Sequence, residues 1–269
     1  MPPSPWPWSN IAPEARQLNS GRQPAALVYG KNPVLEALRA GREIKRLLVL
    51  ASAKPEPRLD EIRMLARERS IEVEEADRQR LDDITHTDSH QGVIAYVGRR
   101  RYWELSDLLD ELAGAEAPML LALDGIQDPQ NLGSICRSAE AAGVAGMLLP
   151  KHRAAEITPA VAKASAGAVE HLRVAIVSSL AQALERLKQE GYWTIGLAGE
   201  ADLDYDSARY QGRIALVVGS EGEGLHRLVR ERCDQLVRMP MLGRVTSLNA
   251  AVAASIVLYE AVRQRRAAP

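Results

Sequence analysis

The sequence predicts an α/β protein whose C-terminal half is a parallel sheet covered by helices on both faces, preceded by a smaller α/β domain. Three observations lead there. From Pro118 onward, near-continuous apolar strand segments alternate with helical segments, and strands apolar on both faces belong to parallel sheets buried on both sides. Ahead of them, a stretch from Ala25 to Gly98 carries strand and helix signals of its own. The length of 269 residues is also too great for one minimal domain and short for three.

The elements follow in order. Residues 1–24 hold six prolines and little apolar periodicity, the composition of a disordered extension. The first domain reads as a helix over Pro33–Ala40, a strand over Arg46–Ser52, an amphipathic helix over Arg58–Arg69 and strands over Ile71–Glu75 and Gly92–Val97. Residues 99–117 are charged, with one helical stretch at Leu105–Leu112, and are expected to form a linker. The second domain, residues 118–269, then shows strands at Met119–Leu123, Ala145–Leu149, Leu172–Val177, Thr194–Leu197, Ile214–Val218 and Leu236–Arg238. Its helices are expected at Leu132–Ala142, Leu180–Gln189, Leu225–Arg232 and Ser247–Arg263.

Composition excludes little. Apolar residues make up 46% and charged residues 26%, as in ordinary globular proteins, and the absence of Phe leaves the cores to Leu, Val, Ile and Ala. The net charge of −1 conceals basic runs at Arg99–Arg101 and at Arg263, Arg265 and Arg266, so a near-neutral total does not exclude a nucleic-acid partner. The two cysteines, Cys136 and Cys233, lack metal-ligand spacing, and no signal peptide or long apolar segment is evident. A cytoplasmic protein with reduced thiols, no metal and no membrane partner is expected.

Three segments carry chemistry. The first, Asp124 to Arg137, joins a strand end, a turn at Asp128-Pro129 and the opening of a helix, where sites in parallel α/β sheets gather. Asn131 in it is a plausible helix cap or a site residue, and Arg137 a surface charge or a site residue. The second, Leu216 to Leu225, is strand, glycine-rich loop and helix, with glycines spaced G-x-x-G-x-G rather than as in dinucleotide sites. Glu221 and Glu223 would repel a pyrophosphate there, whereas a cationic, phosphate-free cofactor suits them. In the third, Met239 to Ala254, Thr246 or Ser247 is a plausible cap, and Leu248, Val252, Ser255 and Tyr259 share one face of the Ala-rich helix that follows.

In this order and spacing the three segments resemble the signature motifs of the SpoU/TrmH family of RNA 2′-O-ribose methyltransferases. Val161 to Ala168 fits as well. The first domain resembles the substrate-binding domain of the RlmB-like branch, through Tyr29 to Leu38 and His90 to Val93. Ala251 departs from the branch, which often has Ser there. The resemblance implies a deep trefoil knot in the C-terminal domain and an L30e-like RNA-binding N-terminal domain. It implies a homodimer built on the last helix, S-adenosylmethionine as cofactor, and a guanosine of 23S ribosomal RNA in the peptidyl-transferase region as target, with transfer RNA the second choice and DNA none. Catalytic roles fall on Asn131, Arg137, Glu221, Ser247 and Asn249, and cofactor contacts on Gly199, Gly219, Met239 and Leu248. Arginine is a poor base at neutral pH, so Arg137 is expected to orient a phosphate or stabilise developing alkoxide charge, and Glu221 competes as the proton acceptor. RNA selection is expected in the first domain, from the Lys31-Asn32 turn, His90-Gln91-Gly92 and Arg99–Arg101. A binding-only protein and a nicotinamide-dependent dehydrogenase are the competing readings.

Overall fold

The computed structural model describes residues 26–152 and 154–267. The extension expected at residues 1–24 lies outside them. Its described residues form two compact units that are interleaved in sequence: residues 26–100 group with 156–171, and 101–152 and 154–155 with 172–267.

The N-terminal unit runs β1 (Ala26–Tyr29), α1 (Lys31–Arg39), β2 (Ile44–Leu50), α2 (Pro57–Glu68), β3 (Glu72–Ala76), α3 (Arg78–Thr85) and β4 (Val93–Val97). Its sheet has the order β1-β4-β2-β3, with β4 antiparallel to both neighbours and β2 parallel to β3. Val34, Leu38, Leu47, Val49, Leu59 and Ile62 form its core. Two of these elements, β1 and α3, escape the sequence reading. The strand β1 is only four residues long, and α3 buries a single apolar residue, Leu81, so neither leaves a periodic signal. What starts α3 is Asp77, whose side chain accepts from Arg80 N at 2.9 Å.

The C-terminal unit continues with α4 (Leu105–Glu111), β5 (Met119–Asp124), α5 (Pro129–Ala141) and β6 (Gly146–Pro150). The chain then contributes α6 (Pro159–Ala164) to the N-terminal unit. It returns as β7 (Val174–Val177), α7 (Leu180–Gln189), β8 (Trp193–Leu197), β9 (Leu203–Asp204), β10 (Ile214–Gly219), α8 (Arg227–Arg232), β11 (Gln235–Arg238) and α9 (Ala250–Ala267). The seven strands pair in the order β7-β6-β5-β10-β8-β11-β9, all parallel. Leu120, Ala122, Ala215 and Val217 turn one face of the sheet to α4, α7 and α8. Helix α9 packs on α5 through an Ala-rich face, and Ser138 Oγ meets Ser255 Oγ at 2.7 Å.

Three expectations need correction. The stretch expected as a linker is largely built into the C-terminal unit, because Leu108 and Leu112 are buried in its core and Trp103 N donates to Val174 O at 2.8 Å. The basic run at the C-terminus is structural in part: the half-buried Arg265 guanidinium donates to Tyr210 O, Ala117 O and Gly212 O, and desolvation lowers its pKa. The helix expected from Ser247 starts at Ala250.

The returning segment 156–171 is fixed within the N-terminal unit by charge. The Glu170 side chain, 2% exposed, lies 2.8 Å from Arg42 and 2.7 Å from Arg100. Lys163 Nζ donates to Ser89 O at 2.7 Å. At Gly167, φ is +89° and a Cβ would lie 2.7 Å from Glu36 Cβ, so only glycine fits. His171 bonds Glu36 at 2.8 Å and, as the largest cause, holds that carboxyl below its usual pKa. A depressed carboxylate stabilises the fold above its unfolded-state pKa, so this contribution disappears as pH falls through the folded-state value. Glu170→Ala removes the buried carboxylate that Arg42 and Arg100 share; we expect a loss of about 3 kcal/mol, measured as a lower urea midpoint at unchanged secondary structure.

Candidate functional site

Parallel strands deliver their following loops to one edge of the sheet, and the motif residues collect at that edge. A cavity of about 300 Å³ there is lined by Gly125, Ile126, Gln127, Asp128, Asn131, Ser220, Glu221 and Glu223. A hollow of about 390 Å³ between α7 and α8 contains none of the motif residues.

The first wall is the turn after β5. Asp128 caps α5, accepting from Gln130 N at 3.2 Å and Asn131 N at 3.1 Å, with Pro129 in the first helical position. This corrects the capping alternative for Asn131: its side chain is released for the site. The second wall is the glycine loop, closed by Ser220 N to Gly224 O at 3.1 Å and Gly224 N to Ser220 O at 3.0 Å. A Cβ on Gly219 would lie 2.2 Å from the Gly224 carbonyl carbon, so the loop folds onto the strand only because residue 219 has no side chain. Glu221 and Glu223 are exposed at its tip.

Asn249 joins the walls. Its Oδ1 accepts from Ala251 N at 2.9 Å and Val252 N at 3.3 Å, which makes it the cap of α9 in place of Thr246 or Ser247. Its Nδ2 donates to Asn131 Oδ1 at 2.8 Å and to Glu221 Oε2 at 3.2 Å. One carboxamide thus binds residues from all three motifs.

Of the other expected site residues, Arg137 and Ser247 are exposed, and neither forms a hydrogen bond or ion pair among the described residues. Gly219 ends β10, Met239 follows β11 and Gly199 lies just past β8, which places these three at the carboxyl ends of adjacent strands; Leu248 precedes Asn249. Space is open around a Cβ on Gly199. The Cys233 thiol, pushed up to about 12 by burial, is no nucleophile at neutral pH.

The sequence reading missed Asp124 and His226. Buried Asp124 accepts from His226 N at 2.7 Å and lies 2.9 Å from His226 Nδ1. The two are 102 positions apart, and no local pattern announces the pairing.

Several residues expected to contact RNA have structural partners in the N-terminal unit. His90 is buried between Gly92 N and Asp82, Gln91 Oε1 accepts from Lys31 N, and Lys31 Nζ pairs with Glu56. Arg100 pairs with Glu170.

The site is therefore acidic, organised by amides, and suited to a ligand group that carries positive charge. Asn249→Ala removes the α9 cap and both bridging bonds, and we expect it to cost about 2 kcal/mol against about 1 kcal/mol for Asp128→Ala, measured by urea denaturation of the two variants.

Comparison with known proteins gives a consistent picture. Residues 118–259 match the model of the SpoU rRNA Methylase family, and residues 27–103 match RNA 2′-O ribose methyltransferase substrate binding. A putative TrmH family tRNA/rRNA methyltransferase of Bacillus subtilis, YacO, is 43% identical over 88% of this chain and 95% of its own length. The Escherichia coli 23S rRNA (guanosine-2′-O-)-methyltransferase RlmB is 40% identical over 89% of this chain and 98% of its own. An uncharacterised tRNA/rRNA methyltransferase of Synechocystis is 42% identical over 94% of this chain, which spans 66% of that protein's length. Among solved structures, the SpoU methyltransferase AviRb of Streptomyces viridochromogenes in complex with AdoMet superposes with a TM-score of 0.75 at 28% identity, covering 90% of this chain and 91% of AviRb.

Proposed function

The chain belongs to the SpoU rRNA methylase family, and on that premise we propose that it transfers a methyl group from S-adenosylmethionine to the ribose 2′-hydroxyl of a guanosine in 23S ribosomal RNA. The observation that carries this reading is the Asn249 carboxamide bridging Asn131 and Glu221 beside the cavity. The acidic lining fits the cofactor: S-adenosylmethionine bears a sulfonium and an ammonium and no phosphate, and Asp128, Glu221 and Glu223 offer the opposite charge. The same carboxylates disfavour a dinucleotide, and with it the dehydrogenase reading.

When bound, the cofactor supplies an electrophilic methyl group. The chain's own residues do the remainder. The strand-end positions Gly199, Gly219 and Met239, with Leu248, hold the cofactor; Asn131 and Asn249 keep the two walls in register; Ser247 orients the nucleotide. In this reading Arg137, exposed on α5, meets the target phosphate or the developing alkoxide charge, and Glu221 competes as the acceptor of the hydroxyl proton.

Assembly belongs to the same reading. Val252 and Tyr259 on α9, with Leu242 and Val245 just before it, are exposed, and Leu242 is 98% exposed. Apolar side chains so placed favour a homodimer built along α9; the family resemblance, not these side chains, carries the proposal that the segment between β11 and α9 forms part of a trefoil knot. No helix among the described residues is long and apolar enough to cross a membrane; a cytoplasmic site of action is part of the proposal, on the strength of the ribosomal-RNA relative. The N-terminal unit, in this proposal L30e-like, selects the RNA, and ribosomal RNA is preferred to transfer RNA on the strength of the E. coli relative.

Mapping of 2′-O-methyl groups in ribosomal RNA with and without the gene tests the reaction: a single guanosine of 23S RNA is expected to lose its methyl group. Arg137→Ala should lower methyl transfer by about 10³-fold while the S-adenosylmethionine Kd, read by calorimetry, stays within about threefold; near-normal turnover would remove Arg137 from the mechanism. Paired Val252→Glu and Tyr259→Glu substitutions should convert a dimer to a monomer in sedimentation, whereas a wild-type chain that is monomeric and active would refute the assembly.

A further inference from the structure

We propose that His226 is a positioning residue for the cofactor loop, acting through Asp124. The proposal rests on the methyltransferase reading above. Residues Ser220 to Gly224 form a turn with two legs. Its entry leg, β10, is fixed to β5 by sheet pairing, and the last pair in that register is Gly219 with Asp124. Its exit leg is Leu225-His226, just before α8. Asp124 fixes that leg as well: one carboxylate oxygen takes the His226 backbone N–H at 2.7 Å, and the other lies 2.9 Å from Nδ1. A single carboxylate, on a residue 5% exposed, therefore ties the exit leg to the strand end beside which the entry leg finishes.

The imidazole also occupies the space next to Gly125 on the opposite wall. A Cβ on Gly125, where φ is +74°, would lie 3.2 Å from His226 Cε1 and 3.5 Å from Ser220 Cβ. Gly125 and Ser220 both line the cavity, so the ring lies next to a residue of its lining. An ionised Asp124 can only accept, which assigns the ring proton to Nδ1. The ring is about one-third exposed and contributes little to the core, so its removal loosens the loop without unfolding the unit. With the tie intact, Glu221 and Glu223 are presented at a fixed height over the cavity, and Glu221 stays in reach of Asn249.

The test uses the full chain and three measurements: thermal unfolding, hydrogen exchange of residues 219–226 without ligand, and calorimetry with S-adenosylmethionine. His226→Ala should keep the fold, exchange faster in the loop and raise the Kd by about tenfold. His226→Asn, whose side-chain amide can replace the Nδ1–H donor, should restore slow exchange and bring the Kd back to within about threefold of wild type. Wild-type exchange and affinity in His226→Ala would overturn the proposal. So would a His226→Asn chain that restores slow exchange but not affinity, since the ring would then act on the ligand by itself. Failure of the wild-type chain to bind S-adenosylmethionine would instead overturn the methyltransferase reading, and the exchange data alone would decide whether His226 ties the loop.

Discussion

Every strand of the seven-stranded sheet points the same way, and the rest of the site depends on that constraint. Parallel pairing obliges the chain to cross over between strands, which moves all the strand-to-helix turns to one edge. The turn after β5, the glycine loop after β10 and the approach to α9 come from widely separated sequence, yet they need no long reach to meet. Sheet register does the first part of the positioning: β5 and β10 are immediate neighbours, and Asp124 stands opposite Gly219. Side-chain bonds then need only close short gaps.

The bonds that close those gaps are chosen for an acidic setting. A lysine or arginine between Asn131 and Glu221 would neutralise the charge that suits a cationic ligand. An amide does not. Asn249 offers an acceptor to the open N–H groups of α9 and donors to its two neighbours, so it organises the walls while leaving the carboxylate charge in place. Asp128 serves α5 in a similar way and adds another negative group to the lining. The local field and the local architecture thus come from the same few side chains.

Much of this was legible in the sequence, and the reasons for the exceptions are physical. Strands such as Met119–Asp124 and Ile214–Gly219 are apolar on both faces and stand out by composition, and α7 matches its expected limits because Ser179 caps a strongly amphipathic run. Helix starts were less legible. Asn131, Ser247 and Asn249 are all competent caps, yet it is Asp128 that caps α5 and leaves the Asn131 side chain to the site, and Asn249 rather than Ser247 that caps α9. The basic runs were ambiguous because a guanidinium that binds RNA and one that binds carbonyl groups, as Arg265 does, have the same composition. The Asp124–His226 pair was invisible because it depends on the fold alone. The motif residues themselves were legible as a set, through their order.

The return of residues 156–171 to the N-terminal unit has a consequence for how the chain is made. Synthesis is vectorial, and an N-terminal domain ordinarily finishes folding while later domains are still being translated. Here Arg42 and Arg100 share the Glu170 carboxylate, so the first unit lacks this buried contact until residue 170 has been made. By then β5 and β6 have emerged, and the edge of β5 that β10 will occupy is still open. An unpaired apolar strand edge is a template for pairing with another chain, so the interval between the synthesis of β5 and that of β10 is one in which such an edge stands uncovered.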